Sequence, residues 1–130
     1  MIILDTHIWL RWLLPTEPLP IQLISHIEQA RAVSISAMSC WEVVMLAQRR
    51  RIELPLPIEQ WLMKATLESD IEILPVTCDI SRLAGTLPEH HKDPVDRIII
   101  ATAICHHSKL ISLDSMFPSY QEVAEYLIIV

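Results

Sequence analysis

Four acids stand out by where they fall in the sequence: Asp5, Glu42, Asp96 and Asp114. Asp5 closes the apolar run Met1–Leu4, and Asp114 closes Leu110-Ile111-Ser112-Leu113. Glu42 belongs to Ser39-Cys40-Trp41-Glu42 and Asp96 to Asp93-Pro94-Val95-Asp96, and each reads as the first turn of a helix. Taken singly, each acid has an ordinary role. Ser39-x-x-Glu42 has the form of a capping box. Asp93 before proline is an N-cap with Pro94 at N1, and Asp5 and Asp114 can cap short helices. Brought together, the four acids behave differently. At about 6 Å and an effective dielectric near 20, each pair of carboxylates repels by ~3 kcal/mol, and six pairs by roughly 17 kcal/mol. That matches or exceeds the whole stability of a small domain, ~5–15 kcal/mol. A cation among them removes the repulsion, and an all-oxygen donor set favours Mg²⁺ or Mn²⁺. Such a centre suits metal-assisted hydrolysis of phosphodiesters, in which one ion activates water and a second stabilises the leaving oxygen.

Convergence of these acids requires an architecture that collects strand ends and helix starts on one edge. The chain reads that way. Met1–Leu4 is a buried strand, followed by helices over 6–14 and 21–32. Val33–Ser36 is a β-branched strand, then come helices over 39–51 and 58–68. Ile71–Pro75 is a strand, with a short helix over 79–84. The clearest helix runs over 93–107. Lys109–Leu113 is a strand, and Tyr126–Val130 a last one. Prolines punctuate the sequence: Pro15, Pro18 and Pro20 close a first unit, Pro55 and Pro57 mark a second break, and Pro75, Pro88 and Pro94 divide the later half. Strands alternating with helices predict an α/β domain with a mostly parallel sheet and helices on both faces. In such a sheet, strand C-termini and the following helix N-termini share the edge where ligands bind.

Composition narrows the chemistry. The 130 residues fit one domain spanning 1–130. The single glycine, Gly85, excludes a P-loop and a G-x-G-x-x-G dinucleotide turn, and disfavours hairpin-rich β folds. Sixteen acids against ten bases leave a net charge of -6. That balance argues against a broadly basic nucleic-acid surface, unless part of the acidic excess belongs to a metal centre. The three cysteines, Cys40, Cys78 and Cys105, are far apart and form no C-x-x-C, so buried reduced thiols are expected. No secretory signal and no membrane-length apolar run are visible, which predicts a cytoplasmic protein.

At this point the sequence resembles a family, the PIN-domain ribonucleases and in particular the VapC-type toxins of toxin–antitoxin pairs. The likeness covers nearly the whole chain. It rests on Ile3-Leu4-Asp5-Thr6-His7, on Ser36-Ala37-Met38-Ser39-Cys40-Trp41-Glu42, and on His90-His91-Lys92-Asp93-Pro94-Val95-Asp96-Arg97 running into Ile100-Ala101-Thr102-Ala103. Leu110-Ile111-Ser112-Leu113-Asp114, with Phe117 and Tyr120 after it, completes the set. The resemblance implies a three-layer domain with a five-stranded, mostly parallel sheet and a metal site of Asp5, Glu42, Asp96 and Asp114. It further implies Mg²⁺- or Mn²⁺-dependent endonuclease action on RNA, a homodimer, and a cognate antitoxin. Two details depart from the family pattern. Ser112 stands where threonine is frequent, and His106-His107-Ser108 stands where a glycine often ends the preceding helix.

Within that frame Asp5 and Asp96 are expected as direct ligands, with Asp114 completing the cage directly or through water. Glu42 would orient or deprotonate the attacking water, or hold a second ion. Thr6, Ser39 and Ser112 are candidates to orient carboxylates, and Asp93 caps the helix presenting Asp96. Arg49, Arg50 and Arg51, together with Lys92 and Arg97, are the candidate RNA-phosphate contacts. The histidine pairs His90-His91 and His106-His107 lack zinc spacing, and His91 is expected to support the loop before Asp93. The first helix carries Ile8, Trp9, Leu10, Trp12 and Leu13, more apolar surface than a core needs, and predicts a face covered by a second copy or by the antitoxin.

Other acid-bearing α/β classes fit poorly. A haloacid-dehalogenase-like phosphatase needs Asp where His7 stands. A response-regulator receiver needs an adjacent acidic pair that is absent, and Lys109 begins its strand instead of ending it. The remaining alternative is a catalytically inactive PIN-like module that binds RNA or protein.

Overall fold

The computed structural model describes residues 1–14 and 17–128. Pro15, and the Ile129–Val130 end of the last predicted strand, lie outside the described residues. Five strands form one sheet: β1 (Ile2–Leu4), β2 (Val33–Ser36), β3 (Ile71–Leu74), β4 (Lys109–Ile111) and β5 (Leu127–Ile128). Their order is β3-β2-β1-β4-β5, and every pairing is parallel. Six α-helices accompany them: α1 (Thr6–Leu13), α2 (Ile21–Gln29), α3 (Ala37–Gln48), α4 (Ile58–Ala65), α5 (Cys78–Thr86) and α6 (Pro94–Cys105). Single 3-10 turns at Leu67–Ser69 and Phe117–Ser119 complete the described elements.

The three layers follow from strand alternation. Ile2 and Leu4 of β1 join Ile35, Ile71 and Ile111 in one core, with Ile8, Trp9, Leu23, Ile27 and Trp61 from α1, α2 and α4. Ile3 and Leu110 point the other way, against Val95, Ile99 and Ile100 of α6. With both faces covered, the strands read as continuous apolar runs. α5 packs along α6 through Ile80, Ala84 and Ala101. Trp9 and Trp12 diverge in fate. Trp9 is fully buried, its ring 5.3 Å from that of Trp61 and its indole N–H donating to the Ala65 carbonyl at 3.0 Å, whereas Trp12 is only partly buried.

Several boundaries differ from expectation, and one matters for the site. α3 starts at Ala37, two residues before Ser39, because Ser36 caps it by accepting from the Met38 amide at 3.1 Å. Ser39 is therefore not the cap, and Glu42 lies in the second turn. Two helices end without glycine. Arg50 and His107 take positive φ, 56° and 48°, at the termini of α3 and α6. In each case the two residues after the C-cap bond back to the last turn. Arg50 and Arg51 reach the Ala47 and Leu46 carbonyls, and His107 and Ser108 those of Ile104 and Ala103. This is the Schellman pattern, usually built on glycine. The thiols are free, but Cys78 and Cys105 are exposed at helix ends and only Cys40 is partly buried, contrary to the expected burial of all three.

Candidate metal centre

Strand order places the site. The chain runs outward from β1 through β2 to β3, then returns to start β4 on the other side of β1. The crevice beyond β1 and β4 is thus the topological switch point where open α/β sheets bind ligands. The register pairs Leu4 with both Ile35 and Ile111, so the three strand ends are level. Asp5 follows directly from β1, and Ser112 and Asp114 from β4.

Each acid is held by local hydrogen bonds. Asp5 caps α1, Oδ1 accepting from the Ile8 amide at 2.8 Å, while Oδ2 accepts from the Ser112 hydroxyl. Ser112 Oγ in turn accepts from the Asp114 amide at 3.0 Å, so one hydroxyl ties the two acids together. Asp114 Oδ1 accepts from the Met116 amide at 2.8 Å. Asp93 caps α6, accepting from the Val95 amide at 2.9 Å, with Pro94 at N1 and Asp96 therefore at N3, as its spacing predicts. Asp96 Oδ2 lies 2.8 Å from His91 Nε2, and the same nitrogen lies 3.1 Å from Asp114 Oδ2.

Electrostatics bring Glu42 into the same group. The carboxyl of Asp96 is pushed up to about 7, chiefly by burial and then by the neighbouring acids Asp93, Glu42 and Asp114. Asp5 is raised as well. Burial is the main cause, Ser112, the Ile8 amide and His7 pull it back, and Asp114 adds to the rise. Glu42 is buried at 6% exposure, and its Oε1 has no hydrogen-bond partner among the described residues. A buried carboxylate oxygen without a partner is costly, and acids held close enough to raise one another's pKa are short of positive charge. Both observations fit a divalent cation held by oxygen donors. His91, Asp96 and Asp114 each present a potential ligand atom, and these lie within 4.8 Å of one another.

The other expected residues divide. Ser112 orients a carboxylate, as its position suggests. Thr6 and Ser39 meet each other: the Thr6 hydroxyl donates to Ser39 Oγ at 2.9 Å, joining α1 to α3. Arg49, Arg50, Arg51 and Lys92 are exposed. Arg97 is not available for phosphate, because its guanidinium donates to four backbone carbonyls. These are Ala84 and Leu87 at 2.8 and 2.7 Å, and Pro88 and His91 at 2.9 and 3.2 Å. It fastens the end of α5 and the following loop to the start of α6. His91 supports the loop as expected, but its contact with two of the site acids had no sequence signal beyond its closeness to the Asp93 cap.

Comparison with known proteins agrees with this fold. Residues 2–123 match the model of the PIN domain family. The chain is 31% identical over 121 residues, 92% of each chain, to Ribonuclease VapC22 of Mycobacterium tuberculosis (strain ATCC 25618 / H37Rv). Among solved structures, VapBC2 from Rickettsia felis bound to a promoter DNA fragment superposes with a TM-score of 0.69 at 17% identity, covering 98% of both chains. A toxin-antitoxin complex from Klebsiella pneumoniae gives 0.64 at 20% identity, covering 99% of this chain and 97% of that one. These two structural likenesses bear on the fold.

Proposed function

The chain belongs to the PIN-domain family, and from that premise we propose that it is a divalent-metal-dependent endoribonuclease, the toxin of a toxin–antitoxin pair held inactive by its antitoxin. The observation that carries this reading is the linkage of Asp5, Asp96 and Asp114 through Ser112 and His91, with Glu42 near enough to raise Asp96 and its Oε1 buried without a partner among the described residues. Its kinship with a protein named as a ribonuclease points to RNA as the substrate. The likeness to toxin-antitoxin complexes points to a protein partner.

Asp5, Asp96 and Asp114 would hold Mg²⁺ or Mn²⁺, with Glu42 beside them. When bound, the ion lowers the pKa of water and stabilises charge developing on the phosphate. The residues themselves do the rest. Ser112 fixes Asp5 and Asp114 relative to each other. Glu42, free of hydrogen bonds at Oε1, is suited to orient the attacking water and accept its proton. Exposed Arg49, Arg50, Arg51 and Lys92 supply charge for RNA phosphates. The partly buried apolar side chains Trp12 and Leu13 of α1 and Ile24 of α2 line a groove with Leu14 and Leu19, suited to an apolar segment of an antitoxin. Exposed apolar side chains elsewhere support a homodimer, and none of the described helices is long and apolar enough to cross a membrane, in keeping with a cytoplasmic setting.

The test is cleavage of RNA by the purified protein with Mg²⁺ or Mn²⁺, beside Asp96→Asn and Asp5→Asn. Asparagine caps helices as well as aspartate does, so Asp5→Asn is expected to fold. Each variant is expected to lose at least the ~100-fold that removing a mere ligand-orienting neighbour can cost. Full activity in either variant removes that residue from the mechanism. No metal-dependent cleavage by the wild type would leave the inactive binding module as the better reading.

A further inference from the structure

Two acids of the centre come from different parts of the fold, and one imidazole joins them. Asp96 sits in the first turn of α6 and Asp114 in the loop after β4. His91 Nε2 contacts Oδ2 of both, at 2.8 and 3.1 Å. The other ring nitrogen decides what Nε2 can do. Nδ1 lies 3.2 Å from the backbone nitrogen of Asp93, which can only donate. Nδ1 must therefore present its lone pair, and the proton of the neutral ring sits on Nε2. Nε2–H is then a donor shared by two carboxylates, and it has no lone pair to offer a metal.

The ring is also held from outside. The His91 amide donates to the Tyr120 hydroxyl at 2.7 Å, and Tyr120 is fully buried. The Phe117 ring stands edge-on at 6.3 Å. Arg97 grips the His91 carbonyl. An independent sign that the acids face a ligand is Glu42, whose buried Oε1 has no partner and whose charge is felt by Asp96.

We propose that His91 is a positioning residue of the metal centre: its Nε2–H joins Asp96 to Asp114 and holds the two carboxylates side by side for a shared divalent ion, without itself ligating the ion. This rests on the metal-dependent reading given above. It assigns His91 the part that outer hydrogen-bond partners play around metal ligands, where loss typically weakens affinity 10–100-fold.

Two substitutions separate the two ring nitrogens. His91→Asn keeps an acceptor near the position of Nδ1 for the Asp93 amide but has no donor at the position of Nε2. His91→Gln keeps a donor that reaches the carboxylates. Mn²⁺ binding is measured by calorimetry and by the electron paramagnetic resonance of free Mn²⁺, with melting of the metal-free proteins alongside. His91→Asn is expected to weaken Mn²⁺ binding about tenfold or more, and His91→Gln to stay within about threefold of wild type. Equal weakening in both variants, or none in His91→Asn, would overturn the proposal. The wild type offers a second test that needs no variant. Its Mn²⁺ spin-echo modulation is expected to lack a directly bound nitrogen, and a directly bound ¹⁴N coupling would make His91 a ligand and sink the idea. Failure of the wild type to bind Mn²⁺ removes the metal-dependent reading and this role together, whereas normal binding by both wild type and His91→Asn removes the role of His91 alone.

Discussion

Asp96 carries the electrostatic tension of the site, and its consequence for stability has a definite sign. In the folded chain its carboxyl is raised to about 7 from 3.8, by burial first and by neighbouring acids next. Folded and unfolded states bind the same number of protons below about pH 4. Between about 4 and 7 the folded state holds more, so the metal-free protein loses stability from this residue as pH rises, and the loss is complete above about 7. Asp96→Asn has no such dependence. In chelator its stability relative to wild type is therefore expected to improve steadily from pH 4 to above pH 7, as read by urea denaturation, and saturating Mn²⁺ should reverse that advantage. A pH-independent difference would mean that the Asp96 carboxyl titrates alike in the folded and unfolded chain. Ser112 illustrates what can be read at this scale. Its hydroxyl near the last acid is visible in the sequence, but that the hydroxyl reaches Asp5, 107 positions away, is not.

Elements carry the site, and two devices set their geometry. Arg97 ties the carbonyls of Ala84 and Leu87, at the end of α5, to α6, and holds the loop that bears His91. Charge-assisted hydrogen bonds are worth about 1.5–3 kcal/mol each when lost. Arg97→Ala is expected to destabilise by roughly 3 kcal/mol or more in denaturant unfolding, and Arg97→Lys to recover little, since an ammonium cannot match the guanidinium fork. A loss under 1 kcal/mol would place the stability of that loop elsewhere. The second device is the glycine-free helix end. His107 sits at φ 48°, a conformation that penalises an L side chain by ~1–2 kcal/mol. His107→Gly should stabilise by about 1 kcal/mol, measured as a higher urea midpoint, less whatever its ring contributes through its hydrogen bond to the Tyr126 hydroxyl. The single glycine, Gly85, is spent at neither position and has no positive φ.

Over the whole molecule, the apolar surplus has only partly gone into the core. Ile2, Ile3, Leu4 and half of α1 are buried, but Ile21, Trp41, Met63 and Leu67 remain more than half exposed. Large apolar side chains left in solvent mark surfaces that other molecules cover. The proposed dimer is tested by light scattering, where a mass twice the 14.9 kDa of one chain is expected at micromolar concentration. A strictly monomeric protein would leave those side chains to the antitoxin. The net charge of -6 is consistent with the same picture. Part of the acidic excess lies at one crevice, where the proposed divalent ion would offset it, and the bases Arg49, Arg50, Arg51 and Lys92 are exposed.

What the sequence determined by itself was the layered α/β fold, and it singled out the four acids proposed for the site. Strand and helix periodicities are local, and an acid ending a buried strand or starting a capped helix is placed by its immediate neighbours. Even the N3 position of Asp96 followed from Asp93-Pro94. Tertiary structure decided the partnerships. Which hydroxyl meets which carboxylate, that Arg97 fills its guanidinium with carbonyls instead of phosphates, and that His91 spans Asp96 and Asp114 all depend on segments brought together by the strand order β3-β2-β1-β4-β5. Contacts between residues tens of positions apart leave no periodic trace in a chain, because they are specified by the packing of whole elements and not by the residues on either side.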